Sequence, residues 1–165
     1  MVARPSNHIG AGQSRDFVSS SFANQLAGIA AGAPALMQVG NLDQRRDFTD
    51  VRDVVHAYAL LLEKGHAGQA YNIASGRMIP VREIFDTLCD IANVHPRVEV
   101  SPTLFRPNES RPSYDTSRIQ SQLGWKPEIP LRQTLSAIYD DFRNRRAAAT
   151  RTLPPPPSKL HAPCA

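Results

Sequence analysis

Apolar residues recur at helical spacing in five stretches of the chain, separated by short β-rich runs and turn residues. Over residues 15–31, Val18, Phe22, Leu26 and Ile29 share one side of a helix. A second helix is predicted from Asp50 to Lys64. Thr49 or Asp50 can cap it, Asp50 and Asp53 put negative charge in its first turn, and Gly65 ends it. Its buried face is expected to be Val51, Val54, Val55, Tyr58 and Leu62. Pro80 suits the first turn of a third helix facing inward with Val81, Ile84, Phe85, Leu88 and Ile91. "TSRIQSQLGW" reads as a short helix stopped by Gly124. Pro130 opens a last helix with Leu131, Leu135, Ile138 and Phe142 inward.

Strand signals are few and short. They lie at residues 2–5, in "ALMQVG" (35–40), in "QAYNIA" (69–74) and in "RVEV" (97–100). "NHIGAGQS" reads as a glycine-bearing loop, and "RPNESRPSYD" as an irregular one. The pattern is α/β, helix-rich with few short strands. It implies a sheet that is part of a larger one, because a complete doubly wound domain shows several βαβ units in a row. No G-x-G-x-x-G follows a strand, and there is no P-loop. The expected organisation is a folded portion over 1–146 and a Pro-rich, extended, disordered tail over 147–165. The four consecutive prolines of that tail fix φ and remove donors.

Composition narrows the function classes. A net charge of +4 over 165 residues is mildly basic, with arginines scattered among acids. That does not make a nucleic-acid patch. Cys89 and Cys164 give no disulfide framework, and "MVARPSNHIG" has no apolar signal region. No stretch approaches the length of a membrane span. The expectation is a cytoplasmic protein without membrane or nucleic-acid partners. Glu63, Asp86 and Asp90 are too separated for a carboxylate pair, and Ser19, Ser20 and Ser21 have no nearby base. No metal-ligand cluster stands out.

"RRDFTDVRDVV", residues 45–55, carries two permanent cations that the helix after it does not need. On residues alone Arg46 reads first as a solvated charge at a strand end, ahead of a functional cation. "RPSNHIGAGQ", "RRDFTDVRDVVHAY", "QAYNIASG", "RPNESRPSYDTSRI" and "LGWKP" occur in this order. Together they resemble the extended short-chain dehydrogenases of the NAD-dependent epimerase/dehydratase family, over roughly residues 3–143. The resemblance is to the C-terminal, substrate-binding part of such an enzyme, an incomplete Rossmann fold. The branch it points to reduces GDP-4-keto-6-deoxy-D-mannose to GDP-D-rhamnose. Dehydration of GDP-mannose, or another nucleotide-sugar epimerase or dehydratase, is the alternative. A non-catalytic interaction module using the Pro-rich tail is the alternative of another class.

The resemblance implies a GDP-sugar ligand and an NADP or NAD cofactor in the complete enzyme. It places Arg46, directly before the Asp-aromatic pair, and Arg106 of "RPNE" on the diphosphate. An Arg fork matches phosphate oxygens and stays charged. Glu109 would accept hydrogen bonds from ribose hydroxyls or a guanine edge. Asn7 would lie beside sugar and phosphates, and Arg15 would touch base or phosphate. His8 would approach the nicotinamide side of the cofactor. Arg45 is turned the other way by strand alternation. Phe17 is assigned to the core, Trp125 fills space, and Arg77 receives no role. Ser6 and Ala11 depart from the family's usual aromatic and proline. The family's Tyr-x-x-x-Lys pair is missing: Tyr58, Tyr71, Tyr114 and Tyr139 are followed four residues on by Leu62, Ser75, Arg118 and Arg143. No catalytic residue is therefore assigned, no cofactor is expected to bind this chain tightly, and the chain is read as a truncated fragment, inactive alone. A separate N-terminal half is the candidate protein partner. Losing that half is expected to expose apolar surface and unpaired strand edges.

Overall fold

The computed structural model describes residues 1–107 and 113–151. The chain runs β1 (Val2–Pro5), β2 (Asn7–Ile9), α1 (Val18–Ala30), β3 (Leu36–Val39), β4 (Arg45–Asp50) and α2 (Val51–Lys64). It continues through β5 (Ala70–Ile73), β6 (Met78–Pro80), α3 (Val81–Ala92), β7 (Arg97–Val100), α4 (Ser117–Leu123) and α5 (Leu131–Arg151). The α/β class and the five helices are as expected. β2, β4 and β6 are additions to the expected strands, and β2 and β6, three residues each, are too short to carry a period of their own. α5 continues to Arg151, past the expected break at 147, because Ala147, Ala148 and Ala149 are strong helix formers. The four-proline segment lies outside the described residues.

The strands form three small sheets. β1 pairs in parallel with β5, and β3 in parallel with β7. β4 lies between β2, parallel to it, and β6, antiparallel. The chain therefore changes sheet at Ser6, between β1 and β2. A buried carboxylate fastens that change. Asp47 Oδ1 accepts from Ser6 Oγ at 3.1 Å and from the Ser75 backbone N–H, just beyond β5, at 2.9 Å.

Two cores result. In the larger, α1, α3 and α5 pack together beside β3, through Phe22, Leu26, Met37, Phe85, Leu88, Leu135 and Ile138. Phe22 and Phe85 meet edge to face at 5.6 Å. The faces expected for these three helices are the buried ones. Cys89 belongs to this core, and its thiol is pushed up to about 11 by burial and by the negative charges of Asp86 and Asp90.

The smaller core joins α2, β5 and α4 through Val54, Ala57, Leu61, Tyr71, Ile73, Ile119 and Trp125. Here the expected face is right at Val54 and wrong at three other positions. Val55, Tyr58 and Leu62 are 58%, 37% and 83% exposed, while Ala57 and Leu61 are buried with Val54. The apolar arc of α2 is wider than one contact face, and periodicity favours the larger side chains over Ala57. Trp125 fills space as expected, and its indole N–H donates to the Asp53 carbonyl at 3.0 Å. Asp53 Oδ2 accepts the backbone N–H groups of Glu128 and Ile129, which ties the approach to α5 back onto α2.

Candidate functional site

A cavity of about 320 Å³ opens between the start of α1, the segment following β3, β4 and the residues after β7. Three separate constructions hold it open. Residues 40 and 104 cross closely: a Cβ on Gly40 would collide with the Leu104 carbonyl oxygen, so glycine is needed there. Asn41 Nδ2 donates to the Arg106 carbonyl at 3.1 Å and holds the stretch that carries this arginine. Gln25 on α1 bonds both backbone groups of Gln38, donating to O at 3.3 Å and accepting from N–H at 3.1 Å, which locks β3 against α1.

Arg46, Arg106 and Asn7 all line this cavity, although they are remote in sequence. Arg46 is on β4 opposite Ile79 of β6, and its Nη1 donates to the Arg45 carbonyl at 2.8 Å. Asn7 on β2 is paired with Phe48, and its amide donates to the Asp47 carbonyl at 3.0 Å. Arg45 is not among the lining residues. It is exposed and donates to the Met78 carbonyl, as strand alternation requires.

The other expected residues fall elsewhere. His8 is exposed on β2 opposite Thr49, its Nδ1 3.2 Å from the Ser6 carbonyl, and it does not line this cavity. Arg15 also lies outside it, in a different cavity beside α5, because the turn at Gly12–Arg15 is drawn toward that helix by the bond from Gly12 N–H to Asp141 at 3.0 Å. Glu109 lies outside the described residues. Phe17 is not core: it is 56% exposed at this cavity, immediately before α1, where Leu104 faces the same space. Arg77 pairs with Glu83 at 2.9 Å.

Sequence reasoning missed the polar lining formed by Gln38, Asn41, Gln44 and Thr103. The Asp50 cap and the first-turn Asp53 are as expected, but Asp47 and the burial of all three carboxylates were missed. Asp47, Asp50 and Asp53 recur every third residue, and all are buried. That spacing, with each carboxylate beside a turn or a helix start, was the available signal. Asp50 caps α2 by accepting from Arg52 N–H at 2.8 Å, pairs with the Arg52 guanidinium, and takes the Thr134 hydroxyl at 2.7 Å. Burial pushes its carboxyl up, but the bonds from Arg52 and Thr134 and the Arg52 charge outweigh burial, so it lies below its ordinary value.

The cavity thus joins two permanent cations and one carboxylate, Asp16, with a set of side-chain amides and an exposed aromatic ring beside an aliphatic side chain. That combination suits an anionic group attached to a flat heterocycle. Among the described residues, no group of three His, Cys, Asp or Glu is placed to hold a metal ion.

Residues 1–138 match the model of the GDP-mannose 4,6 dehydratase family. The chain belongs to that family. It is 43% identical over 147 residues to the GDP-6-deoxy-D-mannose reductase of Pseudomonas aeruginosa, covering 88% of this chain and 48% of that protein. The structure of RMD from Pseudomonas aeruginosa complexed with NADPH superposes with a TM-score of 0.82 at 42% identity, covering 87% of this chain and 48% of the other. The UDP-glucose 4-epimerase of Thermotoga maritima, solved with UDP-glucose, gives a TM-score of 0.70 at 26% identity over 88% of this chain and 46% of the other. The chain therefore spans about half the length of that reductase and of both solved proteins. Membership of the GDP-mannose 4,6 dehydratase family identifies this α/β unit as a portion of an extended short-chain dehydrogenase fold, a family that works with nicotinamide cofactors.

Proposed function

We propose that this chain is the sugar-nucleotide-binding portion of an NAD(P)-dependent reductase acting on GDP-4-keto-6-deoxy-D-mannose to give GDP-D-rhamnose. One observation carries the reading: Arg46 from β4 and Arg106 from beyond β7 line one cavity with Asn7. A diphosphate bridging those segments takes charge-assisted bonds from both guanidinium groups. Phe17 and Leu104 offer apolar surface to the base, and Gln38, Asn41 and Gln44 offer donors and acceptors to its edge or to ribose.

The residues present do not fit a complete dinucleotide site. The chain has no G-x-G-x-x-G and no tyrosine with a lysine four residues on. Hydride transfer and its proton are therefore not assigned to this chain, and His8 is its single residue proposed to face the cofactor. A second polypeptide segment bearing those motifs completes the enzyme. Two features favour such a partner. β1 bonds only β5 among the described residues, leaving its other edge open, and Val55, Tyr58 and Leu62 make an exposed apolar stripe on α2.

The test measures binding and turnover separately. The chain alone should bind GDP-mannose by calorimetry and should not oxidise NADPH with the 4-keto sugar. Adding the N-terminal half of the reductase should restore oxidation. Turnover by the chain alone, or absence of GDP-sugar binding by a folded chain, contradicts the proposal.

A further inference from the structure

β7 is an edge strand. Among the described residues it pairs only with β3, in parallel, with Met37 beside Val98 and Gln38 beside Glu99. The Arg97 N–H donates to the Ala35 carbonyl and the Ser101 N–H to the Val39 carbonyl, both at 2.9 Å. Backbone groups alternate along a strand, so Arg97, Glu99 and Ser101 turn theirs toward β3 while Val98 and Val100 turn theirs outward. No bond to those outward groups forms among the described residues. The two valine side chains are 36% and 59% exposed. An open edge carrying exposed β-branched side chains is a template for another strand.

The two faces of β7 differ. Val98 and Val100 share a face with the buried Met37 and Val39. Arg97 and Glu99 lie on the other face. There Glu99 accepts from the Gln38 amide at 3.0 Å and meets the Arg97 guanidinium at 3.7 Å. The strand therefore presents opposite charges two positions apart, with an outward-bonding valine between them. None of its four residues lines the sugar-nucleotide cavity.

We propose that β7 is a self-pairing edge: two copies of this chain join β7 to β7, antiparallel about a two-fold axis, into a four-stranded sheet. Two constraints choose the register. A two-fold axis normal to the sheet preserves its faces, so directly opposite residues lie on the same face of the strand. Unlike charges must also meet. Both hold when Val98 stands opposite Val98 of the second copy. Arg97 of each copy then faces Glu99 of the other. The two Val98 residues exchange their outward N–H and carbonyl bonds. The Val100 N–H meets the Pro96 carbonyl of the second copy, and Pro96, lacking an N–H, strands no donor. Centring the pair on Arg97 or Glu99 instead sets like charges opposite each other and faces backbone groups already spent on β3. Exposed ion pairs contribute little energy, so the charges select the register and the dimer is weak. The proposal is independent of the sugar-nucleotide reading.

The experiment is sedimentation velocity over a concentration series at low ionic strength, on the full chain carrying Leu62→Lys. That change removes the exposed α2 stripe as a competing contact. A concentration-dependent dimer should form. Adding Arg97→Glu alone, or Glu99→Arg alone, sets like charges opposite each other twice and should weaken it by roughly tenfold or more. An equimolar mixture of those two variants should form a heterodimer, because one strand then carries two acids and the other two arginines. The double reversal, Arg97→Glu with Glu99→Arg, should dimerise like the parent. Val98→Pro removes the outward N–H but no bond to β3, and should abolish the dimer with an unchanged circular dichroism spectrum. Absence of a dimer at every concentration, a dimer indifferent to Arg97→Glu or Val98→Pro, or a mixture that stays monomeric overturns the proposal.

Discussion

Replacing Asp50 with alanine removes three attachments at once. The carboxylate caps α2, bonds the Arg52 guanidinium and receives the Thr134 hydroxyl of α5. Losing the cap costs about 0.5–2 kcal/mol. Stranding the buried Thr134 hydroxyl costs about 1–3 kcal/mol, reduced here because Thr134 also reaches the Pro130 carbonyl at 3.4 Å. The pair with Arg52 adds little, because that side chain is 54% exposed and screened by solvent. Asp50→Ala should therefore destabilise the chain by about 2–4 kcal/mol. Asp50→Asn keeps acceptors for the cap and for Thr134 and should cost about 1 kcal/mol. Urea unfolding of Asp50→Ala, Thr134→Val and the double variant measures the coupling, expected at about 1 kcal/mol or more. The sign with pH follows from the carboxyl lying below its ordinary value. Its contribution is full above the unfolded-state value near about 4 and is lost as pH falls through the lower folded-state value. Asp50→Asn should flatten that acid limb. Equal losses for the alanine and asparagine variants, or strictly additive Asp50 and Thr134 changes, refute the reasoning.

Three further outcomes are expected. Leu62→Lys should leave stability within about 0.5 kcal/mol by urea unfolding while impairing reconstitution with an N-terminal half, since Leu62 is 83% exposed; a large stability loss would mean that α2 is packed differently. Cys89, with its thiol pushed up to about 11, should resist iodoacetamide at pH 7 in the native chain and react on unfolding, read by peptide mass; rapid native labelling contradicts its burial. Phe17→Ala should weaken GDP binding more than pyrophosphate binding, since its ring is assigned to the base; equal effects remove it from the base-binding surface.

Most helices were legible because a single apolar stripe of large side chains sits on each of α1, α3 and α5. α2 was misread because its apolar arc covers two directions, and Val54, Ala57 and Leu61 are the side chains buried in the smaller core. The short strands β2 and β6 exist through pairing with β4, a long-range property without a local signature. Alternation along β4 correctly separated Arg45 from Arg46, because one face of that strand meets the cavity and the other does not. Arg15 went astray because its direction is set by the bond between Gly12 and Asp141, 129 positions apart. Phe17 is aromatic and beside a helix, which reads as core, yet it precedes the first turn of α1 and stays exposed.

The central claim is that Arg46, and not its neighbour, holds the diphosphate of a GDP-sugar. Calorimetric titration of GDP-mannose into the chain, Arg45→Ala and Arg46→Ala tests it most directly. Loss of one charge-assisted contact costs about 1.5–3 kcal/mol, so Arg46→Ala should weaken binding by roughly tenfold or more. Arg45→Ala, whose side chain lies outside the cavity and turns to the Met78 carbonyl, should change it little. Equal effects at the two positions would make the pair a diffuse basic surface and contradict the account.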